Sequence, residues 1–412
     1  MVVLNVLLLR LPEAGEVPIL FSALSLILLV VQVPAALLLL SRLAKGPTRK
    51  PPVQPGVSLP EMLGTVSIIV PTLNEAKRIG PCLEGLTHQG YEVREVLVVD
   101  SRSQDGTPEM VKQMAQSDPR FRLLVDDPLP PGWVGRPWAL HTGFLQSAEA
   151  SEWVLGIDAD TQPSPGLVAG LLAITQQDGY DLVSLSPRFI LKDPGELWLQ
   201  PSLLMTLLYR FGPAGDPTSQ PERVMANGQC FLCRRSLLAQ LGGYTSARSS
   251  FCDDVTLARY AASQGAKVGF LDGSQVLKVR MYEGAIETWQ EWGRSLDLKD
   301  AASSGQIWGD LWLLLSVQGL PLPVLLVGLL MFMGVPTNPV LWATYGLNLF
   351  LVAIRVALLV AIVGSYDFTQ TRSTWAFWLS PLSDPLAFLR ILLSSLQTEI
   401  TWRGRSYTQP GN

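Results

Sequence analysis

Four acidic corners carry the residues best suited to chemistry. Asn74-Glu75 follows the apolar run 66–70, Asp100 follows 96–99, and Asp158-Ala159-Asp160 follows 154–157. Carboxylates two residues apart at a strand end can point the same way and offer hard oxygen ligands to a divalent cation, Mg2+ or Mn2+. The fourth corner, Asp253-Asp254, opens a helical pattern after the turn Gly242-Gly243-Tyr244 and a polar loop. Adjacent carboxylates repel, and a helix N-terminus favours the ionised form, so one can accept a proton while the other orients its neighbours. A cation holder and a base together suit transfer of a sugar from a nucleoside diphosphate to a hydroxyl, because the cation stabilises the departing diphosphate.

The loops around these corners add polar groups for the donor. Pro71-Thr72-Leu73-Asn74-Glu75 and Asp100-Ser101-Arg102-Ser103-Gln104-Asp105-Gly106 supply side chains and a turn for a nucleoside. Arg136 and Trp138, beyond the Pro- and Gly-containing loop 128–135, add a cation and an aromatic plane for phosphate and sugar. Each feature alone has a plainer reading as a turn, a helix cap or a surface cation. Position decides between them, since acids directly after buried strands face the crevice where parallel sheets bind ligands.

The elements that must position these residues follow an α/β alternation. Short β-rich runs separated by helical patterns predict a mostly parallel, Rossmann-like sheet. Thr107-Pro108-Glu109 and Ser164-Pro165 carry helix-start signals. Residues 182–186 read as a strand, 196–211 as an apolar helix at a membrane surface, and 228–234, 237–244 and 253–264 as strand, short helix and helix.

Of the 412 residues, 48% are hydrophobic and only 16% charged, which is unusual for a soluble chain. A net charge of -4 offers no basic footprint and removes nucleic acid as a partner. Residues 17–41 contain no charge and are long enough to span a bilayer, and Arg42, Lys45, Arg49 and Lys50 follow at once. That asymmetry predicts an integral membrane protein whose catalytic region is cytoplasmic.

The expected organisation is an N-terminal region 1–45 with that helix, a Pro-rich extended linker 46–64, a catalytic domain 65–300 and a C-terminal region 301–412. Two further spans are predicted at 311–334 and 339–364, with 375–396 at the interface before a basic tail. Four cysteines make no disulfide framework, and Cys230 and Cys233, three apart on a strand, face opposite sides. His88 and His141 read as ordinary helix residues.

Taken in order, Pro71-Thr72-Leu73-Asn74-Glu75, Asp100 with Asp105-Gly106, Asp158-Ala159-Asp160, Gly228, Gly242-Gly243-Tyr244 and Asp253-Asp254 resemble the membrane-bound family 2 glycosyltransferases of GT-A fold. The loop Gly132 to Trp138 is similar to that of hopanoid-associated and carotenoid glycosyltransferases, and the tail Trp402 to Tyr407 to the ceramide glucosyltransferase-like group. The resemblance implies an inverting transfer with Asp254 as base, Asp160 on the metal, Asp158 near ribose or metal, and Glu75 with Asp100 on the nucleoside.

Processive members carry Q-x-x-R-W, whereas this chain reads Gln290-Glu291-Trp292-Gly293-Arg294-Ser295. Arg294 is expected to reach the diphosphate, and Trp289, Trp292, Trp402, Arg403 and Arg405 to face the acceptor or the interface. The expectation is therefore a single transfer to a lipid hydroxyl, such as that of a carotenoid, hopanoid or sphingolipid. The alternatives are a processive polysaccharide synthase and a non-catalytic membrane scaffold.

Overall fold

In the computed structural model the described residues are 17–331 and 338–397, apart from 217, 219, 293–295 and 297, together with 399–402 and 405–408. A seven-stranded sheet is built from β1 (Val66–Thr72), β2 (Val93–Asp100), β3 (Phe121–Val125), β4 (Trp153–Ile157), β5 (Leu182–Ser186), β6 (Cys230–Arg234) and β7 (Val268–Asp272), in the order β3-β2-β1-β4-β6-β5-β7. All neighbours pair in parallel except at β6, which runs antiparallel to both β4 and β5. This is the mostly parallel α/β sheet expected from the apolar runs. The strands of the central pair are buried on both faces: Ile68, Ile69, Val70, Val96, Leu97 and Val98 have no exposure. Each such side chain contributes about 1.5–3 kcal/mol by leaving water, so the register of β1 and β2 is strongly fixed.

Seven longer helices matter for the site: α1 (Val17–Leu43), α2 (Gly135–Gln146), α3 (Pro194–Phe211), α4 (Asp253–Ser263), α5 (Ser304–Leu314), α6 (Pro339–Ala361) and α7 (Asp384–Leu396). α2 packs close on β1 because Gly143 lacks a side chain; a Cβ there would lie 2.4 Å from Ile69 Cγ2. That approach sets the position of Arg136 in the first turn of α2. The start of α3 is fixed by a capping box between Asp193 and Glu196, with Pro194 in its first turn.

Three helical stretches, 21–48, 304–329 and 339–361, are long and apolar enough to cross a membrane. The middle one begins before the predicted 311 and contains a π-helical segment, Leu315–Gly319. The segment 375–396 divides into Trp375–Trp378, a 3-10 turn and α7. Along α7 and the turn before it, Leu382, Leu386, Leu389, Leu393 and Leu396 are exposed, while Ala387, Arg390, Ile391 and Ser394 are buried. An exposed apolar stripe at helical spacing suits an interface.

Two expectations change. α3 does not lie on a surface: Leu197, Leu199, Leu203 and Met205, with Tyr209 and Arg210, are buried, and the helix packs against α5, α7 and the segment 375–383. An all-round apolar helix reads alike in sequence whether lipid or protein covers it. The linker 46–64 is extended but not a free spacer. Backbone N–H groups of Lys50, Val53 and Gly56 donate to the carbonyls of Gly215, Asp272 and Gly166 at 2.9, 2.8 and 2.9 Å, sewing it onto the sheet domain.

The expected division at 300 is also crossed in space. Tyr366–Asp367 pairs in parallel with Arg188–Ile190 in a second, four-stranded sheet, and α3 supplies much of the helical core.

Candidate active site

The carboxyl ends of β1, β2 and β4 open into one cavity of about 1600 Å³. Pro71, Asn74, Glu75, Asp105, Arg136, Asp158, Asp160, Asp253, Asp254 and Trp292 all line it. Pro71 and Asp254, 183 residues apart in sequence, thus line the same cavity.

The loops after β1 and β2 hold each other. Asn74 takes a left-handed backbone, φ 57°, which asparagine tolerates better than most residues. Its side-chain oxygen accepts from Gln104 N–H at 2.8 Å, and its own N–H donates to Ser103 Oγ at 2.8 Å. Asp105 accepts from Ala76 N–H at 2.9 Å and from the Thr107 hydroxyl at 2.6 Å. Asp100 is buried, accepts from Ser103 N–H at 2.9 Å and does not line the cavity. It shapes the loop from behind, where the sequence reading placed it on the nucleoside.

Arg136 is the keystone. Its Nε and Nη2 donate to Asp158 Oδ1 at 3.0 and 2.9 Å, Nη1 donates to Asp253 Oδ2, and Nη2 also donates to the Gly228 carbonyl at 2.8 Å. Gly228 must be glycine for this, since a Cβ would sit 2.4 Å from Arg136 Nη2. Burial alone would lower the guanidinium's pKa, but Asp158 and Asp253 overcome it and hold Arg136 well above its usual value. The guanidinium expected to reach phosphate is thus engaged in joining the corner after β4 to the corner that opens α4.

The other two carboxylates are different. Asp160 Oδ1 is buried with no hydrogen-bond partner. Burial first, then the charges of Asp158 and Glu75, push its carboxyl up to about 8. Asp254 is pushed up to about 7 by burial and by Asp253, against Arg136 and backbone hydrogen bonds from Val255 and Gly228. A buried carboxylate oxygen without a partner is costly unless something fills its place, and a divalent cation beside Asp160 would meet that need.

Several expected residues sit elsewhere. Trp138 turns inward, its indole N–H donating to the Asp126 carbonyl, and its ring centroid lies 5.1 Å from that of Trp133. His141 is a helix residue as expected, its ring tilted 32° to that of Trp133 at 5.0 Å. Trp292 lines the cavity, 5.8 Å from Phe189, whereas Trp289 lies outside the lining, under the Arg390 guanidinium at 5.8 Å. Arg294 and Arg403 fall outside the described residues, and Trp402 and Arg405 lie in the strand pair Glu399–Trp402 and Arg405–Thr408. All four cysteines are buried and outside any disulfide, and burial holds Cys82 and Cys233 up at about 12, which suits neither zinc nor redox work.

Sequence reasoning passed over Arg78, three residues beyond Glu75. It lines the cavity and donates to Glu287 at 2.8 Å and to the Met281 carbonyl at 3.1 Å, tying the β1 loop to the short helix Gly284–Glu287. It also missed the apolar end of the cavity, where Leu43 of α1, Leu204 and Leu207 of α3, and Leu358 and Ile362 at the end of α6 form the wall.

Residues 67–242 match the family described as Glycosyl transferase family 2. Glycosyltransferase AglE of Haloferax volcanii is 33% identical over 132 residues, 32% of this chain and 41% of that protein. The 4,4'-diaponeurosporenoate glycosyltransferase of Staphylococcus haemolyticus is 26% identical over 248 residues, 60% of this chain and 64% of that protein. The chain thus spans less than two thirds of the length of these curated relatives. The solved mannosyltransferase PcManGT from Pyrobaculum calidifontis, in complex with GDP-Man and Mn2+, shares the fold with a TM-score of 0.50 at 20% identity, covering 91% of this chain and 97% of that one. The stretch 67–242 is a family 2 glycosyltransferase domain on a GT-A scaffold.

Proposed function

We propose that this chain is a membrane-attached, cation-dependent glycosyltransferase that moves one sugar from a nucleotide-diphosphate donor to the hydroxyl of a membrane lipid, with inversion. The observation that carries the reading is the two-ended cavity. Asp158, Asp160, Asp253 and Asp254 line one end, and residues at the ends of two membrane-length helices line the other. A water-soluble donor and a lipid-soluble acceptor would meet there without either leaving its own phase.

Asp160, with Asp158 beside it and Glu75 nearby, would hold Mg2+ or Mn2+. A cation bound there supplies the positive charge that stabilises a leaving diphosphate. Pro71, Asn74, Glu75 and Asp105 form the nucleoside wall, with Asp100 setting its shape. Asp254 takes the proton from the acceptor hydroxyl as that oxygen attacks the anomeric carbon. A single displacement of this kind inverts the configuration. Arg136 keeps Asp253, and with it the first turn of α4, at a fixed place relative to the corner after β4. Trp292, Phe189 and the leucines of α3 and α6 receive the apolar body of the acceptor.

The basic residues after α1 support a cytoplasmic catalytic side. The name of the Staphylococcus haemolyticus relative supports a carotenoid-like isoprenoid acceptor; a hopanoid or sphingolipid offers the same chemistry. Incubation of membranes with labelled nucleotide sugar, followed by lipid extraction and mass analysis, tests the reading. One sugar increment on a lipid supports it. A ladder of oligomers indicates polymer synthesis instead, and no labelled lipid with any donor overturns the transferase assignment.

A further inference from the structure

Five cations line the cavity among the described residues: Arg49, Lys77, Arg78, Arg136 and Arg188. Arg136 is ion-paired with Asp158 and Asp253, and Arg78 with Glu287. Arg49 and Lys77 are exposed and keep their water. Arg188 differs from all four. It is half-buried and makes no ion pair among the described residues; its Nε donates to the Tyr366 carbonyl at 3.1 Å, which leaves both Nη groups without a protein acceptor.

The local sheet explains why this charge is left over. Its strands run in the order Tyr366–Asp367, Arg188–Ile190, Leu277–Val279 and Thr161–Pro163, and its charged residues are Arg188, Lys278 and Asp367. Lys278 stands beside Arg188 in the register. Asp367 is taken by Lys278, whose ammonium donates to Oδ2 at 2.7 Å, while the Thr369 N–H donates to Oδ1 at 2.9 Å. Two cations share one acid, and Arg188 goes without.

Position tells which ligand the guanidinium meets. Thr161, directly after Asp160, and Phe189 both pair with Val279, so two strand spacings, about 9–10 Å, separate the strand that follows Asp160 from the strand of Arg188. The bond to Tyr366 draws the side chain toward the opposite flank, away from Asp160. The strand on that flank follows Gly364 and Ser365, which line the cavity together with Leu358 and Ile362. Arg188 therefore belongs to the acceptor's end. An apolar acceptor entering there expels the water that solvates the guanidinium, and a charge stripped of water without a partner is costly. A neutral lipid bears that cost, whereas an acid removes it, because a guanidinium forms short paired hydrogen bonds to carboxylate or phosphate oxygens.

We propose that Arg188 is a specificity-determining residue that binds an acid group, carboxylate or phosphate, at the polar end of the acceptor, so that the lipid glycosylated here is an anionic amphiphile rather than a neutral one. The inference rests on the reading of the apolar end of the cavity as the acceptor's.

The test uses the full-length chain in detergent micelles and three radiolabelled probes with the same hydrocarbon length: hexadecyl phosphate, hexadecanoate and hexadecanol. Binding is measured for the natural chain, Arg188→Gln and Arg188→Lys, with the melting temperature of each. Lys112→Gln, on an exposed helix face, serves as control. Both acids should bind the natural chain about tenfold more tightly than the alcohol, a preference that Arg188→Gln removes and Arg188→Lys keeps in part. Equal affinity of the natural chain for acids and alcohol overturns the proposal, whether or not the variants fold. Donor titration separates the other source of phosphate. An Arg188→Gln chain that loses donor affinity while its acid preference persists assigns the guanidinium to the diphosphate, and overturns the proposal as well. Sugar transfer to membrane lipids is read separately: acid preference without any transfer leaves this site standing and removes the proposed function, and transfer without acid preference does the reverse.

Discussion

The sheet domain and the helical half treat buried charge in opposite ways. Around α6 and α7, Arg355 Nε donates to both oxygens of Asp384 at 3.1 and 2.8 Å, and its Nη2 donates to Ser202 Oγ at 3.1 Å and Ser380 Oγ at 3.2 Å. Gln32 and Asn348 exchange hydrogen bonds of 2.9 and 3.0 Å between α1 and α6. Apart from Arg355 Nη1, those polar groups are spent on one another. In the cavity, Asp160 keeps an oxygen unpartnered and Asp254 sits next to a like charge. Polar groups saturated by their own chain hold a fold together. Polar groups kept short of partners are held ready for a ligand, and their strain is borne by the surrounding structure.

The largest expected effect separates the two regions by function. Asp254→Asn should lower lipid glycosylation about 10²–10⁴-fold with donor binding retained, read by labelled-lipid assay and calorimetric donor titration. Near-normal turnover would break the contrast on the sheet side. Stability should move the other way. A carboxyl whose folded pKa lies above its unfolded value loses stability as pH rises between the two, so the Asn variant should melt no lower than the natural chain at pH 8.

On the helical side the signs reverse. Arg355→Met should destabilise by about 3–5 kcal/mol, because it leaves Asp384 buried and unpaired, while Arg355→Met with Asp384→Leu should recover most of the loss. Thermal unfolding in detergent checks this, with transfer per folded molecule expected to be unchanged.

Arg136→Lys sharpens the comparison, since this arginine is ion-paired by its own chain as Arg355 is, yet sits in the cavity. A lysine cannot bridge both Asp158 and Asp253 and the Gly228 carbonyl, and a misplaced base corner costs about 10²-fold in turnover. Loss of stability without loss of turnover would move Arg136 into the architectural class. The smallest effect is graded: with Asp254 near 7, turnover should rise with pH up to about 7 and fall roughly tenfold per unit well below it. A profile flat from pH 5 to 8 would assign the proton to another group.

Much of this was legible in the chain itself. Apolar runs ending in acids place Glu75, Asp158 and Asp160 at one rim, because strand burial and strand-end position are local properties, whereas Asp254 was legible as an acid opening a helix after a polar loop. The partners of Arg136 were not legible, since they come from corners 22 and 117 residues away in the sequence. Trp138 looked like a sugar platform because an aromatic beside an arginine reads alike whether its indole faces a ligand or, as here, the Asp126 carbonyl. Asp100 ends its strand just as Asp158 nearly ends its own, and only the loop's own N–H groups decide that one turns back while the other faces the cavity. The apolar cavity wall was hidden for a simpler reason: leucines of α3 and α6 facing a ligand are indistinguishable in sequence from leucines facing lipid or core.

The segment sewn along the sheet domain by Lys50, Val53 and Gly56 acts as a ruler. If α1 is embedded as proposed, a segment so held would keep the reaction centre at one height above the bilayer rather than letting it swing toward deeper or shallower targets. Acceptors would then be sorted by how far their hydroxyl protrudes from the membrane as much as by the shape of their hydrocarbon.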